Sequence, residues 1–230
     1  MRHILLVAAT ALEVRQILQW ATVELSPSGE ATFERSGYRV TLRVTGIGPV
    51  NTAFGLGQFL ARTPPDLAIN LGIAGGISRD LALEEVVEVR AESWPDFGAM
   101  QGARFLDLRT IGFPSLQTEA HQHYNTLPNP TPPATDLRPV TGWTRLEVTG
   151  ERWTLHKLLQ RYPAEVETME GAAFFHACLA AEVPFAAFRG ISNRVADRTN
   201  WRLQEAATAV QRYVWANLTA IASGALADSP

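Results

Sequence analysis

Residues 4–7, Ile-Leu-Leu-Val, are an unbroken apolar run, and a strand without polar alternation needs cover on both faces. Residues 11–20 then place Leu12, Ile17 and Trp20 at helical spacing, so the chain opens as β then α. Similar units recur. Residues 31–35 and 38–44 read as short strands joined at Ser36-Gly37, and Pro49 suits the first position of a helix that Thr63-Pro64-Pro65 stops. Residues 66–71 read as a strand ending in the glycine loop Gly72-Ile73-Ala74-Gly75-Gly76, and 85–89 as another strand. From 94 to 139 periodicity fades, and Pro128, Pro130, Pro132 and Pro133 mark an insertion loop near 125–140. Order returns with a strand at 143–148, a helix at 152–161, a short strand at 165–168 and a helix at 171–182 that is apolar nearly all round. A strand at 184–191 and an amphipathic helix at 200–226 follow. The alternation predicts an α/β fold, a three-layer α/β/α sandwich with a mostly parallel mixed central sheet, in which residues 1–230 form a single domain.

Composition narrows the partners. With 20 basic and 23 acidic residues the formal charge is −3, and no basic run of five or more supplies a footprint for nucleic acid or an anionic membrane. Cys178 is the only cysteine, which excludes an intrachain disulfide and a thiolate zinc cluster and points to a reducing cytoplasm. Apolar runs fall short of the ~20 residues of a membrane span. The first residues could pass for a signal peptide, but Glu13 follows at once and the pattern turns helical, so they are read as a buried strand.

In folds of this class the ligand sits beyond the carboxyl ends of the strands, here residues 8–13, 45–51, 70–78, 149–153, 167–171 and 191–198. Gly46-x-Gly48 with Asp66 twenty residues on invites a dinucleotide reading. The third glycine position holds Asn51 and the first βα turn has no glycine, so no cofactor is predicted. His121-x-His123 lacks further ligands at metal spacing, and no metal site is predicted. His176 and Cys178 lie on the buried helix, where a satisfied histidine and an inert thiol are the ordinary state. The acids Glu13, Glu167 and Glu170 are more informative. Each sits at a strand end or helix start, where a carboxylate can simply complement the macrodipole. Together, acids from separate strand ends can converge on one crevice, one activating water while another grips paired sugar hydroxyls.

Five motifs then coincide: Ala8-Ala9-x-x-x-Glu13, Thr45-Gly46-Ile47-Gly48, Asn70-x-Gly72-x-Ala74-Gly75-Gly76, Val166-Glu167-x-Met169-Glu170-Gly171-Ala172-Ala173 and Arg189-Gly190-Ile191-Ser192-Asn193. In this order they resemble the nucleoside phosphorylase and nucleosidase family over nearly the whole chain. The run Glu-Thr-Met-Glu-Gly-Ala-Ala-Phe, and the segment 198–201 after Ser192-Asn193, look most like a branch that releases hypoxanthine on a bacterial route to menaquinone. The resemblance implies that Glu13 activates the attacking water, that Glu170 binds the ribose hydroxyls with Met169 under the sugar, and that Glu167 and Gly75 belong to the same substrate site. Trp153 falls where the family sets an aromatic against the base; a Trp on the apolar face of the 152–161 helix is the alternative. The family also implies a homodimer or higher homo-oligomer.

Two departures set the chemistry expected. Related phosphorylases carry Arg and Ser where this chain has Asn70 and Ile73, so a dianionic phosphate has lost its donors and water becomes the nucleophile. Adenine-releasing nucleosidases have Asp where this chain has Asn193, whose amide suits a 6-oxopurine. The expectation is a purine nucleoside N-ribohydrolase. An adenine-releasing nucleosidase and a non-catalytic nucleoside-binding domain are the alternatives, and the 5′ substituent of the substrate is left open.

Overall fold

A computed structural model describes residues 1–118, 121–197 and 199–224. Its first strand, β1 (His3–Ala8), shows why an unbroken apolar run was needed. Leu5 and Val7 enter one core, while Ile4, Leu6 and Ala8 enter another on the opposite face. After a 3₁₀ turn (Ala11–Glu13) come α1 (Arg15–Ala21), the hairpin of β2 (Glu30–Arg35) and β3 (Tyr38–Val44), α2 (Pro49–Arg62), β4 (Leu67–Gly76) and β5 (Val86–Ser93). Short elements fill the next stretch: β6 (Gly98–Gln101), β7 (Arg104–Asp107), α3 (Leu108–Ile111), β8 (Leu116–Gln117), β9 (Gln122–His123) and β10 (Thr126–Pro128). Then follow β11 (Arg138–Thr144), α4 (Arg152–Arg161), β12 (Val166–Thr168), α5 (Gly171–Ala180), β13 (Phe185–Arg194) and α6 (Leu203–Ser223).

The central sheet is mixed, as the alternation required. β1 lies parallel between β3 and β4, and β4 lies parallel to β13. It is also curled. β5 pairs with β11, β11 with β12, β12 with β4, β4 with β13, and β13 back to β5, so these five strands close on themselves. One face carries α2 and α5 and the other α1 and α6. α5 is buried through Ala172, Ala173, Phe174, Phe175 and Cys178, as its all-round apolar sequence predicts.

Several boundaries moved. The glycine run 72–76 is the second half of β4 rather than a loop, because its missing side chains are where neighbours press in. A Cβ on Gly72 would stand 2.7 Å from Glu13 Oε1, and one on Gly75 2.8 Å from Val195 Cγ2. β11 begins at Arg138, five residues before the expected strand, and residues 145–151 are irregular. Pro139 and Gly142 argue locally against a strand, but parallel partners on both sides override that preference. The stretch from 94 to 139 is not featureless. It holds the β6–β7 and β8–β9 ladders, and β10 pairs with β5.

Candidate active site

Where β1 ends, the chain makes the 3₁₀ turn and Glu13 reaches back over it. Glu13 Oε2 accepts bonds from the amides of Ala9 (3.1 Å) and Thr10 (2.9 Å) and from Thr10 Oγ1 (3.0 Å), while Oε1 accepts from the Ile73 amide (3.1 Å). A buried carboxylate with this many donors stays where it is put. β12 delivers Glu167, Thr168, Met169 and Glu170 in succession. Glu170 Oε1 accepts the Gly48 amide at 2.8 Å. The Gly46-x-Gly48 pair therefore serves a turn in which both glycines hold positive φ, +94° and +91°, and one aims an amide at an acid.

These side chains meet in a cavity of about 300 Å³. Its walls include Glu13, Ile73, Gly75, Glu167, Met169, Glu170 and Asn193, so the structure brings together every sequence-predicted site residue except Trp153. Trp153 lies on α4, 69% exposed, with the Lys157 ammonium 4.7 Å from its ring centroid. The expected aromatic against the base is thus corrected on this point: α4 starts after the irregular segment 145–151, and it is Val148 of that segment that lines the cavity. Thr10, Ile47 and Ser192, which fall within the strand-end segments named from the sequence but were given no role there, line it too, as do Trp201 from the 198–201 segment and Leu203, which no sequence reading singled out. Arg198 lies outside the described residues.

Glu167 has a narrower role than its position suggested. Its Oε1 accepts the Thr149 amide (2.8 Å), and its Oε2 accepts Trp143 Nε1 (3.1 Å) and the Thr149 hydroxyl. Those bonds fasten the segment that carries Val148. Asn193 is set by Ser192, whose hydroxyl donates to Oδ1 (2.8 Å), and its Nδ2 donates to the Arg194 carbonyl (3.1 Å). Each group retains capacity for a ligand: one amide hydrogen and one carbonyl lone pair. Burial pushes the Glu170 carboxyl above its usual range, opposed by the Gly48 amide and Arg189 and reinforced by the charge of Glu13.

Electrostatically the cavity is one-sided. Its described lining holds three acids, Glu13, Glu167 and Glu170, and no Lys, Arg or His. Asn70 is absorbed elsewhere: its Nδ2 donates to Val7 O at 3.0 Å, and its Oδ1 accepts from the buried guanidinium of Arg189. His121 and His123 stack with ring centroids 6.0 Å apart, and among the described residues no group of three or more His, Cys, Asp and Glu converges.

A curled mixed sheet thus carries an acid-lined cavity at its strand ends. The chain belongs to the phosphorylase superfamily, whose family model matches residues 3–224. Within it the chain is similar to the futalosine hydrolase of Thermus thermophilus, 35% identical over a 178-residue alignment that covers 74% of this chain and 77% of that one. The native structure of futalosine hydrolase from Helicobacter pylori superposes with a TM-score of 0.76 at 15% identity, covering 95% of this chain and 97% of that one. A methylthioadenosine/S-adenosylhomocysteine nucleosidase from Colwellia psychrerythraea in complex with adenine gives 0.75 at 19% identity, with 96% of both chains covered.

Proposed function

We propose that this protein hydrolyses the N-glycosidic bond of futalosine, releasing hypoxanthine and the dehypoxanthine sugar, within menaquinone biosynthesis. The observation that carries the reading is the anchored pair Glu13 and Glu170 in one cavity whose described lining offers no cation. Phosphate, a dianion, finds repulsion there and no partner, whereas water finds a base. Glu13, fixed on four donors, orients the water and takes its proton as oxygen attacks the anomeric carbon. Glu170 grips the ribose hydroxyls while Met169 packs beneath the sugar. The bond breaks through an oxocarbenium-like sugar, and charge flows to the purine. The free hydrogen of Asn193 Nδ2 donates to the 6-oxo oxygen, and its carbonyl accepts from a protonated N7. No metal or organic cofactor has a part in this scheme.

The reading carries a cytoplasmic location, supported by the lone buried Cys178; among the described residues no helix is long and apolar enough to cross a membrane. It carries a homodimer as well, supported by the exposed apolar side chains of Ile47, Val50, Phe54 and Leu146 near the cavity, whose burial in a second copy ultracentrifugation would detect. The activity is tested by incubating the protein with futalosine, methylthioadenosine and inosine, with and without phosphate. Release of hypoxanthine and free sugar from futalosine at a phosphate-independent rate is expected, and a sugar 1-phosphate product would remove the hydrolase reading.

A further inference from the structure

Glu92 on β5 is fully buried, yet it lies behind the cavity rather than in its lining. A bulge puts it there. Val89 pairs with Val140 and Ala91 with Thr141, so Arg90 is an extra residue on β5, and the alternation that sends Val87 and Val89 into the core resumes at Glu92. Its carboxylate then presses on two backbones. A Cβ on Gly171 would stand 2.0 Å from Glu92 Oε1, and one on Gly142 2.8 Å from the same atom.

The contacts of that carboxylate lead to the first turn of α5. Thr144 Oγ1 donates to Glu92 Oε2 at 3.0 Å and Thr168 Oγ1 to Oε1 at 3.1 Å. The two threonine hydroxyl oxygens in turn accept amides from the start of the helix, Thr144 Oγ1 from Ala172 N at 2.7 Å and Thr168 Oγ1 from Gly171 N at 3.3 Å. A helix N-terminus normally takes its cap from the N-cap side chain, which here is Glu170. Glu170 makes no such bond to its own helix; its carboxylate goes to Gly48 and the cavity instead.

We propose that Glu92 is a positioning residue for Glu170: by capping α5 through Thr144 and Thr168, it relieves Glu170 of that task and leaves its carboxylate aimed at the ribose. This rests on the reading of Glu170 as the ribose-binding acid. The charged groups that act on Glu92 are Arg189 from β13 and Glu170 itself; burial, reinforced by the charge of Glu170, outweighs Arg189 and the two threonine hydroxyls and pushes the Glu92 carboxyl up to about 7.

The test compares Glu92→Gln, Thr168→Val and Glu170→Gln with the natural protein on futalosine and its 2′-deoxy analogue. In Glu92→Gln an amide faces the hydroxyls that now donate, the cap weakens, and Glu170 turns back to its helix. KM for futalosine is expected to rise about 10-fold with kcat changed much less, and the preference for the ribonucleoside over the deoxy analogue to shrink about 10-fold. Thr168→Val, which removes one relay hydroxyl, should move both quantities the same way and carries the test if Glu92→Gln fails to fold. If Glu170→Gln loses the preference while Glu92→Gln, or failing that Thr168→Val, keeps both KM and preference unchanged, the positioning role is overturned. If Glu170→Gln itself keeps the preference, the ribose assignment falls instead, and the proposal with it.

Discussion

Glu13 separates chemistry from binding at the level of one side chain. Glu13→Gln is expected to lower kcat by at least ~10²-fold while substrate affinity stays nearly intact, because a neutral amide cannot take a proton from water. The amide oxygen can keep the Ala9 and Thr10 donors, but Nε2 then opposes the Ile73 amide, a cost of about 1–3 kcal/mol that thermal unfolding would register. Near-normal turnover in a folded Glu13→Gln would leave Glu13 as a turn residue only. Asn193 decides the base. An Asp there would set an oxygen against the Arg194 carbonyl that now accepts Nδ2, a contact that favours the protonated acid, and a protonated acid can deliver its hydrogen to N7 of adenine. The natural protein is expected to prefer futalosine to its 6-amino analogue by at least ~10-fold in kcat/KM, or ~1.4 kcal/mol, and Asn193→Asp to narrow or reverse the gap. Equal kcat/KM for the two substrates with the natural protein would defeat the assignment to Asn193.

Elements set these side chains by what they leave out. β4 gives up its side chain at Gly72 so that Glu13 can lie against it. In Gly72→Ala the Cβ meets Glu13 Oε1 at 2.7 Å and must push the carboxylate away. Because the residue is extended strand, alanine itself fits the backbone; turnover is expected to fall more than ~10-fold while circular dichroism stays unchanged. Unchanged turnover would show that the position of Glu13 is not critical. α5 gives the opposite case, an element packed on all sides. Its Cys178 is fully buried and burial pushes the thiol well above its ordinary range, so iodoacetamide should modify it only after unfolding. Rapid labelling of the native protein would show that α5 opens locally.

Across the whole molecule, the acid-rich interior links stability to pH. The Glu92 carboxyl is raised from 4.5 to about 7, so the folded protein holds this proton more tightly than the unfolded chain does. The stabilisation is complete below about 4.5 and is lost as pH rises towards about 7, for a total of about 3 kcal/mol. Glu170 is shifted in the same direction by burial and adds to the trend. Urea unfolding at pH 5 and pH 8 should show the natural protein losing stability relative to Glu92→Gln over this interval. Parallel behaviour of the two would mean that Glu92 does not titrate there.

Most of the elements were legible because their causes are local. Residues 4–7 could only be a strand covered on both faces, Pro49 fixed the start of a helix, and the apolar circumference of 171–180 could only be buried. The acids of the site were legible too, since strand ends are recognisable and acids there are few. Beyond that, distance along the chain hides the cause. Glycines 72 and 75 look like a loop until Glu13, Asn193 and Val195 are seen to fill the space beside them. Trp153 could be read as an aromatic against the base or as a Trp on the apolar face of its helix until the structure set it 69% exposed on α4, and Glu92 had no visible role until the bulge at Arg90 turned it inward. Outside 94–139 the sequence determined most of the strands and helices and which carboxylates the strand ends present, because periodicity and chain reversal act over a few residues. The tertiary structure alone decided which of those carboxylates face the cavity, which fasten its walls and which lie behind it, because that depends on backbones and side chains tens of residues apart coming within hydrogen-bond reach.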